Sequence, residues 1–344
     1  MKKYQGKNLV AYVSFVLICI GLSVFLLSPL HAAPLKFAVI SDAHFDNNNS
    51  GMVLDAIIKE IKKISASSAT PVKLIVVTGD LAFNHKKFSP QTAESYQQCL
   101  DKFFGVISGA LAKSDIKLLV VRGNHDNHYS DDGDHGPYND AFSAVMEKNK
   151  DLLAVAFEKD KPNFHYAVEN VSFVMLNMIS LYKDDKTEGA ANIAWLNQVK
   201  KDTKPQTFVF GHYPAFSANN ASYAMHNTGA FLDCMVANGY QYYFSGHDHI
   251  FVHAILEKKD SQGKVVGVVN QVGCPNSAGG RFSRVYNGKL YAPNSDGWEA
   301  SLKDANATFN DKKPGFIIVD VDGDAVAVET YKMNFDKVYS SALN

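Results

Sequence analysis

The stretch IKLLVVRGNHD, residues 116–126, joins an apolar run to residues of the turn-forming and ligand-binding types. The apolar run, rich in β-branched valine, predicts a buried strand, and Gly123 allows a sharp turn at its end. Asn124, His125 and Asp126 follow in immediate succession, although a plain turn has no use for a His beside an Asp. The stretch therefore predicts a strand that delivers functional side chains at its carboxyl end, where open α/β sheets bind ligands.

Four further apolar runs end in the same way, namely residues 35–41, 73–80, 207–214 and 240–249. The polar residues at their ends are Asp42 with His44, Gly79-Asp80, Gly211-His212, and Gly246-His247-Asp248-His249. Each short motif alone is typical of an ordinary turn or helix cap. Five of them, in order and each after an apolar strand, predict one site at a shared sheet edge.

The segments between these strands predict the fold class. Residues 52–65 and about 90–111 have apolar residues at helical spacing, with Pro90 suited to the first turn of the second helix. Strands that alternate with helices predict an α/β domain. Further along, the patterns predict hairpins at 164–178, turning at Glu169-Asn170, and at 315–333, turning at Asp322-Gly323-Asp324, and helices at 192–201 and 228–239. No linker interrupts residues 34–344, which favours one domain.

Residues 1–33 differ from the rest. Three lysines precede the run LVAYVSFVLICIGLSVFLL, and small residues follow at Ala32 and Ala33. This order is typical of a secretory signal peptide, and we expect an exported, periplasmic or secreted protein. Because the apolar run approaches the length that spans a bilayer, an uncleaved membrane anchor is the alternative.

Net charge and cysteine count limit the binding partners and the number of disulfides that can be expected. The formal net charge of the 344 residues is -1, so a basic surface for nucleic-acid polymers is not expected. Beyond the N-terminal segment only Cys99, Cys234 and Cys274 remain, which allows at most one disulfide. A bridge and buried free thiols both stay open.

The ordered motifs Asp42-x-His44, Gly79-Asp80, Gly123-Asn124-His125-Asp126, Gly211-His212 and Gly246-His247-x-His249 resemble those of the calcineurin-like metallophosphoesterase superfamily. The resemblance covers about residues 35–255. It implies a four-layer α/β sandwich (α+β in some schemes), in which helices flank two mixed β-sheets and a dinuclear metal site lies at the carboxyl ends of the strands.

The resemblance also implies two groups of metal ligands. Asp42, His44, Asp80 and His249 would hold one ion, and Asp80, Asn124, His212 and His247 the other, with Asp80 shared. The ligand types, carboxylate, imidazole and amide oxygen without thiolate, suit Mn, Fe, Zn, Co or Ni. A hydroxide bridging the metals would attack phosphorus. His125 would act on the phosphoryl or leaving oxygen, with Asp126 orienting it, and a purely supporting role for His125 is the alternative.

One arginine beside the third motif and two polar loops supply further candidates for substrate contact. Arg122 is a candidate to clamp a phosphate oxygen, with a structural ion pair as the alternative. Residues 127–140 are expected to form a loop that shapes the substrate pocket through His128 or His135, and Arg281 and Arg284 to reach substrate from another loop. The resemblance to purple acid phosphatases is incomplete, because Phe83 stands where those enzymes have a tyrosine ligand.

Together these observations predict an exported, dinuclear metal-dependent phosphoesterase that acts on a small phosphate ester. A phosphomonoesterase or nucleotide-directed enzyme is favoured. The alternative is a phosphodiesterase for cyclic nucleotides or phospholipid headgroups. A non-enzymatic hypothesis is a binding protein that contains metal but does not catalyse hydrolysis. The presence of His125 argues against it, because binding alone does not require an acid for the leaving group.

Overall fold

The structure is a computed structural model, and it describes residues 33–46, 51–83, 92–126, 136–159, 161, 163–177, 186–277, 286–308, 313–332, 334 and 337–342. The chain divides into Met1–Ala33 and Pro34–Asn344, and the fold below is that of the second unit. The predicted signal peptide lies outside the described residues, apart from its last position. Among the helices of the described part, none is long and apolar enough to cross a bilayer.

The strands are β1 (Leu35–Ile40), β2 (Val72–Val77), β3 (Lys117–Val120), β4 (Phe164–Val168), β5 (Val171–Met175), β6 (Gln206–Phe210), β7 (Tyr242–Ser245), β8 (Val252–Lys259), β9 (Val265–Gly273), β10 (Trp298–Leu302), β11 (Gly315–Asp322), β12 (Ala325–Lys332) and β13 (Lys337–Ala342). The α-helices are α1 (Met52–Ser67), α2 (Ala93–Ala110), α3 (Gly136–Lys148), α4 (Lys186–Val199) and α5 (Thr228–Ala237).

The strands form two mixed sheets. One has the order β13-β12-β11-β1-β2-β3 and the other β10-β8-β9-β7-β6-β5-β4. Within the first sheet β1, β2 and β3 run parallel, and within the second β5, β6, β7 and β9 do. Parallel strands end at one edge, so each sheet delivers its strand ends to a single edge. The Ser277 backbone N–H donates to the Ser41 carbonyl at 2.8 Å and ties the two edges together.

Three apolar clusters build four layers. The central cluster fills the space between the sheets, where the Phe37 ring lies 5.0 Å from that of Phe173 and 5.2 Å from that of Phe208. A second cluster packs α1, α2 and α3 on the first sheet, and a third packs α4 and α5 on the second sheet. The central cluster covers one face of each sheet and the helices cover the other. Parallel strands are covered on both faces, which explains why the parallel strands here are apolar on both sides. The predicted four-layer α/β sandwich is confirmed.

The two predicted hairpin turns agree with the structure, whereas the predicted start of the second helix does not. The turn at Glu169-Asn170 is confirmed, because Val168 pairs with Val171, and so is the hairpin turn after Asp322. The second helix begins at Ala93 with Thr92 as its N-cap, whose hydroxyl accepts from the Ser95 N–H at 3.1 Å, so its start differs from the prediction. Pro90 itself lies outside the described residues.

The predicted loop at residues 127–140 and the state of the three cysteines differ in part from expectation. The last five residues of the predicted loop 127–140 are the first turn of α3, in which Pro137 takes an early position that requires no backbone N–H. The rest of that loop lies outside the described residues. Cys99, Cys234 and Cys274 are all buried free thiols, so the disulfide alternative is wrong for these three.

Candidate metal centre

Five of the polar residues at the strand ends have an unusual backbone conformation. Non-glycine residues adopt positive φ rarely, and each such residue costs about 1–3 kcal/mol unless its surroundings hold it there. The φ angles that fall in this left-handed region are those of Asp42 (53°), His44 (45°), Asp80 (54°), His247 (66°) and His249 (59°). Strain of this kind, concentrated at one edge of the sandwich, points to a functional site.

Glycines allow these strand ends to approach one another. A Cβ on Gly123 would lie 2.1 Å from Asp80 Oδ1 and 2.4 Å from the Asp80 backbone nitrogen. A Cβ on Gly246 would lie 2.0 Å from Ser41 Oγ and 2.7 Å from Asp42 Oδ2. No side chain fits at either position without displacing a carboxylate of the site.

The first group of side chains is Asp42, His44, Asp80 and His249, all buried, whose ligand-type atoms lie within 4.8 Å of one another. His44 Nε2 is 2.9 Å from His249 Nε2 and 3.6 Å from Asp80 Oδ2. His249 Nε2 is 3.2 Å from Asp42 Oδ1. The structure thus brings together the four residues that the resemblance assigns to one ion.

The second group is Asp80, His212 and His247, also buried and within the same mutual distance. His212 Nε2 lies 3.3 Å from Asp80 Oδ2 and 3.3 Å from His247 Nδ1. Asn124 Oδ1 lies 3.0 Å from His212 Nε2, so the amide joins this group. Asp80 belongs to both groups, as the sequence analysis expects of a shared carboxylate.

The imidazole of His212 is oriented by a hydrogen bond on the side of the ring that faces away from the cluster. Its Nδ1 lies 2.8 Å from the Thr78 carbonyl oxygen, which accepts only from a protonated nitrogen. Nδ1 therefore carries a proton and Nε2 faces the cluster. A carbonyl behind a histidine is the usual means of fixing a metal-binding ring.

The donor set fits metal ions. Two imidazole nitrogens 2.9 Å apart, His44 Nε2 and His249 Nε2, converge on a point that needs a proton or a cation between them. Asp80 Oδ2 is fully buried without a hydrogen bond of regular geometry, although His212, His44 and His125 nitrogens surround it at 3.3 to 4.0 Å. Buried Asp and His groups of this kind could bind metal ions such as Mn, Fe, Zn, Co or Ni.

The electrostatics reflect the same crowding. Burial raises the pKa of Asp80, but the neighbouring imidazoles of His212 and His125 outweigh it, and the pKa lies well below its usual value. Burial lowers the pKa of His212, yet the charge of Asp80 and the close approach of its Oδ2 to His212 Nε2, at 3.3 Å, raise it to about 9. Burial keeps the pKa of His44 well below normal. In the absence of a cation, the Asp80 charge is therefore compensated mainly by a protonated His212.

His125 stands at the edge of this cluster. Its side chain is 14% exposed, against 1% for His44, and its Nε2 lies 4.0 Å from Asp80 Oδ2. The Phe83 ring packs on it at 4.8 Å between centroids and also contacts the ring of His44 at 5.5 Å. Phe83 thus lies beside the site without offering an oxygen ligand. The position of His125 suits contact with a bound ester.

Asp126 is buried and binds backbone N–H groups. Its carboxylate accepts from the backbone N–H of Leu81 (3.0 Å), Ala82 (3.2 Å) and Gly123 (2.9 Å), and within the described part of the chain these are the donors to the carboxylate. Burial, together with the charge of Asp80, raises its pKa to about 7, while these N–H groups act in the opposite direction. The Asp126 carboxylate therefore joins the loop after β2 to the loop after β3 through backbone N–H groups, and its orienting role towards His125 stays a prediction.

Replacing Asp126 with Asn should destabilise the protein. Asn has the same shape but one oxygen, so at least one buried N–H of Leu81, Ala82 or Gly123 would face an NH₂ group. The free energy of unfolding should fall by about 1–3 kcal/mol, the cost of a buried unsatisfied donor. Urea denaturation of both proteins measures this, and equal midpoints would contradict it.

Arg122 is buried and makes contacts with α3. Its guanidinium lies 4.2 Å from the Phe142 ring centroid, and its Nη1 donates to Asn139 Oδ1 at 2.8 Å. These contacts with α3 are structural, but neither is the ion pair of the alternative, so the phosphate clamp stays a prediction. His128, His135, Arg281 and Arg284, the other expected substrate contacts, lie outside the described residues.

Two residues near the site were given no role by the sequence analysis. Asp248, between His247 and His249, is 1% exposed and bonds to another loop. Tyr223 packs against the His247 ring at 4.9 Å between centroids. The position of Asp248 inside the His-Asp-His motif could have indicated a role near the site. No motif near Tyr223 in the sequence indicates one.

The comparisons with known proteins agree with this geometry. The family model for calcineurin-like phosphoesterases matches residues 35–251. No curated protein matches the chain by sequence.

Three solved structures share the fold. Purple acid phosphatase PPD1 from yellow lupin (Lupinus luteus) seeds is 14% identical with a TM-score of 0.57, and the match covers 90% of this chain and 54% of that one. This chain thus spans about half the length of the lupin protein. GAP50, the anchor in the inner membrane complex of Plasmodium, is 15% identical with a TM-score of 0.58, covering 90% and 89%. PhoD is 9% identical with a TM-score of 0.53, covering 90% and 72%.

Proposed function

This chain belongs to the calcineurin-like phosphoesterase family, and on that basis we propose that it hydrolyses phosphate esters at the cluster centred on Asp80. The observation that carries the proposal is the convergence of two groups of buried ligand-type side chains that share one carboxylate. A shared carboxylate suits a site for two cations about 3.5–4 Å apart. Asn124, at 3.0 Å from His212, completes the second group.

The protein's own residues have distinct tasks in this reaction. When bound, two metal ions supply Lewis-acid polarisation of the phosphoryl group and acidify water. Asp80 holds both sites at a fixed separation, because its Oδ1 accepts from the His125 backbone N–H at 2.9 Å and cannot rotate freely. His125, partly exposed beside the cluster, donates a proton from its ring to the departing oxygen.

Replacing His125 with Ala should impair turnover according to the leaving group. General acid catalysis contributes about 10²–10⁴-fold when the leaving group needs a proton. We therefore expect a loss in this range of kcat for an alkyl phosphate and a much smaller loss for p-nitrophenyl phosphate, whose leaving group departs as a stable anion. Steady-state kinetics on both esters at saturating Mn²⁺ measure the difference.

The same experiment separates the two roles considered for His125. Metal content, measured on each sample, should equal that of the unaltered protein. Equal losses on both esters, together with a loss of metal, would identify His125 as a supporting residue and contradict the acid role.

We propose a small phosphomonoester, a nucleotide among them, as the substrate class. A phosphodiester of a cyclic nucleotide or phospholipid headgroup is the alternative, since the same residues serve both reactions. Parallel assays on p-nitrophenyl phosphate and bis(p-nitrophenyl) phosphate decide between them. Faster turnover of the diester would replace the monoester proposal, and turnover of neither would favour a binding protein without catalysis.

We also propose that the protein is exported, as the lysines and the apolar run of residues 1–33 indicate. The substrate would then be encountered outside the cytoplasm. N-terminal sequencing of the protein recovered from the producing cells tests this. A mature chain that starts near Ala33 supports cleavage, and an intact Met1 in a membrane fraction supports the anchor.

A further inference from the structure

Asp248 is a buried carboxylate that lies between two ligand-type residues but belongs to neither group. Its Oδ1 accepts from Ser217 Oγ at 2.6 Å and its Oδ2 from the Ala218 backbone N–H at 2.6 Å. Both bonds are short, as expected for a charged acceptor. The residue is 1% exposed, so these bonds form away from water. Asp248 therefore fixes the segment 217–223 to the turn that carries His247 and His249.

The segment 217–223 is a loop with a well-determined path. Ser217 exchanges two backbone hydrogen bonds with Tyr291, at 2.8 and 2.9 Å, and its Oγ accepts from the Asn219 N–H at 3.0 Å. Asn220 then caps a short 3-10 helix, Ala221–Tyr223, by accepting from the Ser222 N–H at 2.9 Å. Each turn of the segment has its own hydrogen bond, so its far end is held relative to its start.

That far end returns to the site. The Tyr223 ring lies 4.9 Å from the His247 ring, with 37° between the planes. The Tyr213 ring contacts the same imidazole at 4.5 Å. The chain thus forms a closed circuit from Asp248 through the segment 217–223 to the ring of the preceding residue, His247.

We propose that Asp248 and Tyr223 are positioning residues for His247: Asp248 anchors the segment 217–223, and Tyr223 holds the imidazole in line with Asp80 and His212. This rests on the proposed function, because it supposes that the second group binds a metal ion. His247 needs such support, since its left-handed φ of 66° persists only where the surrounding structure holds the backbone of this turn. A ring held in place binds a cation without losing rotamer freedom.

The test is calorimetric titration of the metal-free protein with Mn²⁺. The unaltered chain should show two binding events. In Tyr223→Ala one of them should weaken by about 10- to 100-fold, the usual effect of removing an outer partner of a metal ligand, while the other stays within twofold. Tyr223→Phe keeps the ring and should retain both affinities. Tyr166→Ala, which removes a half-buried ring on β4, is the matched control and should also retain both.

Asp248 provides the second arm. Asp248→Ala removes both bonds to the segment and should weaken the same binding event, whereas Asp248→Asn keeps an acceptor for Ala218 and should lose less. Circular dichroism identifies the variants that fold. If Tyr223→Ala does not fold, Tyr223→Leu replaces it in the titration. Unchanged affinities in folded variants lacking the ring would overturn the inference and leave the proposed function intact. No Mn²⁺ binding by the unaltered chain would overturn both.

Discussion

Replacing Asp80 with Asn should abolish ester hydrolysis and lower the metal content from two ions per chain to one or none. Asn has the size of Asp and keeps an oxygen that can accept from the His125 N–H, so the loops should hold their shape. It loses the charge and the second oxygen, Oδ2, which three imidazoles surround. The loss in kcat should exceed the roughly 10- to 100-fold typical of outer-shell changes, because Asp80 belongs to both groups.

Turnover and metal content, measured on one preparation, check this result. Asp320→Asn is the matched control, since Asp320 lies on the same sheet, is 41% exposed and pairs with Lys36. It should match the unaltered protein in both respects. An Asp80→Asn protein that keeps two ions and more than a tenth of its turnover would contradict the bridging role.

Replacing Gly123 with Ala should remove activity and destabilise the fold together. The new Cβ would lie 2.1 Å from Asp80 Oδ1 and 2.4 Å from the Asp80 nitrogen, so the loops after β2 and β3 must separate. Overpacking of this kind costs about 1–3 kcal/mol of unfolding free energy. The displaced Asp80 no longer aligns with His212, so metal affinity should fall as well.

Gly105 on α2 is the matched control, since an added Cβ there meets nothing within 4 Å. Gly105→Ala should leave metal binding unchanged and stabilise the protein by about 0.5–1 kcal/mol, as expected for a helix interior. Thermal unfolding with and without Mn²⁺ separates the two variants. A Gly123→Ala protein with normal stability and a normal Mn²⁺-induced increase in Tm would show that the close approach is not required.

Much of the fold follows from local sequence. The strands that carry the site are contiguous apolar runs, and Gly79, Gly123 and Gly246 mark where they end. The parallel arrangement follows from the helices between the early strands. These features depend on residues that are neighbours in the chain, so the pattern alone reveals them.

The rest depends on contacts between distant segments. Asp126 binds the N–H of Leu81, 45 positions away, and no local pattern reveals that its carboxylate accepts from backbone groups. The Asp248–Ser217 bond spans 31 positions. The left-handed backbone of Asp42 and Asp80 is likewise held by the assembled sheets, since even Asp, which enters this region more often than most residues, adopts it only in a minority of cases. The sequence therefore predicts which residues meet, and the structure is needed to show what holds them.

We propose that two metal sites sharing Asp80 carry out ester hydrolysis. The most direct measurement is a Mn²⁺ titration of the metal-free protein in which bound metal and turnover of p-nitrophenyl phosphate and bis(p-nitrophenyl) phosphate are followed together. We predict that turnover of at least one ester rises as the second ion binds and is absent from Asp80→Asn at every metal concentration. A protein that binds two ions and hydrolyses neither ester, or turnover unaffected by the loss of Asp80, would contradict the claim.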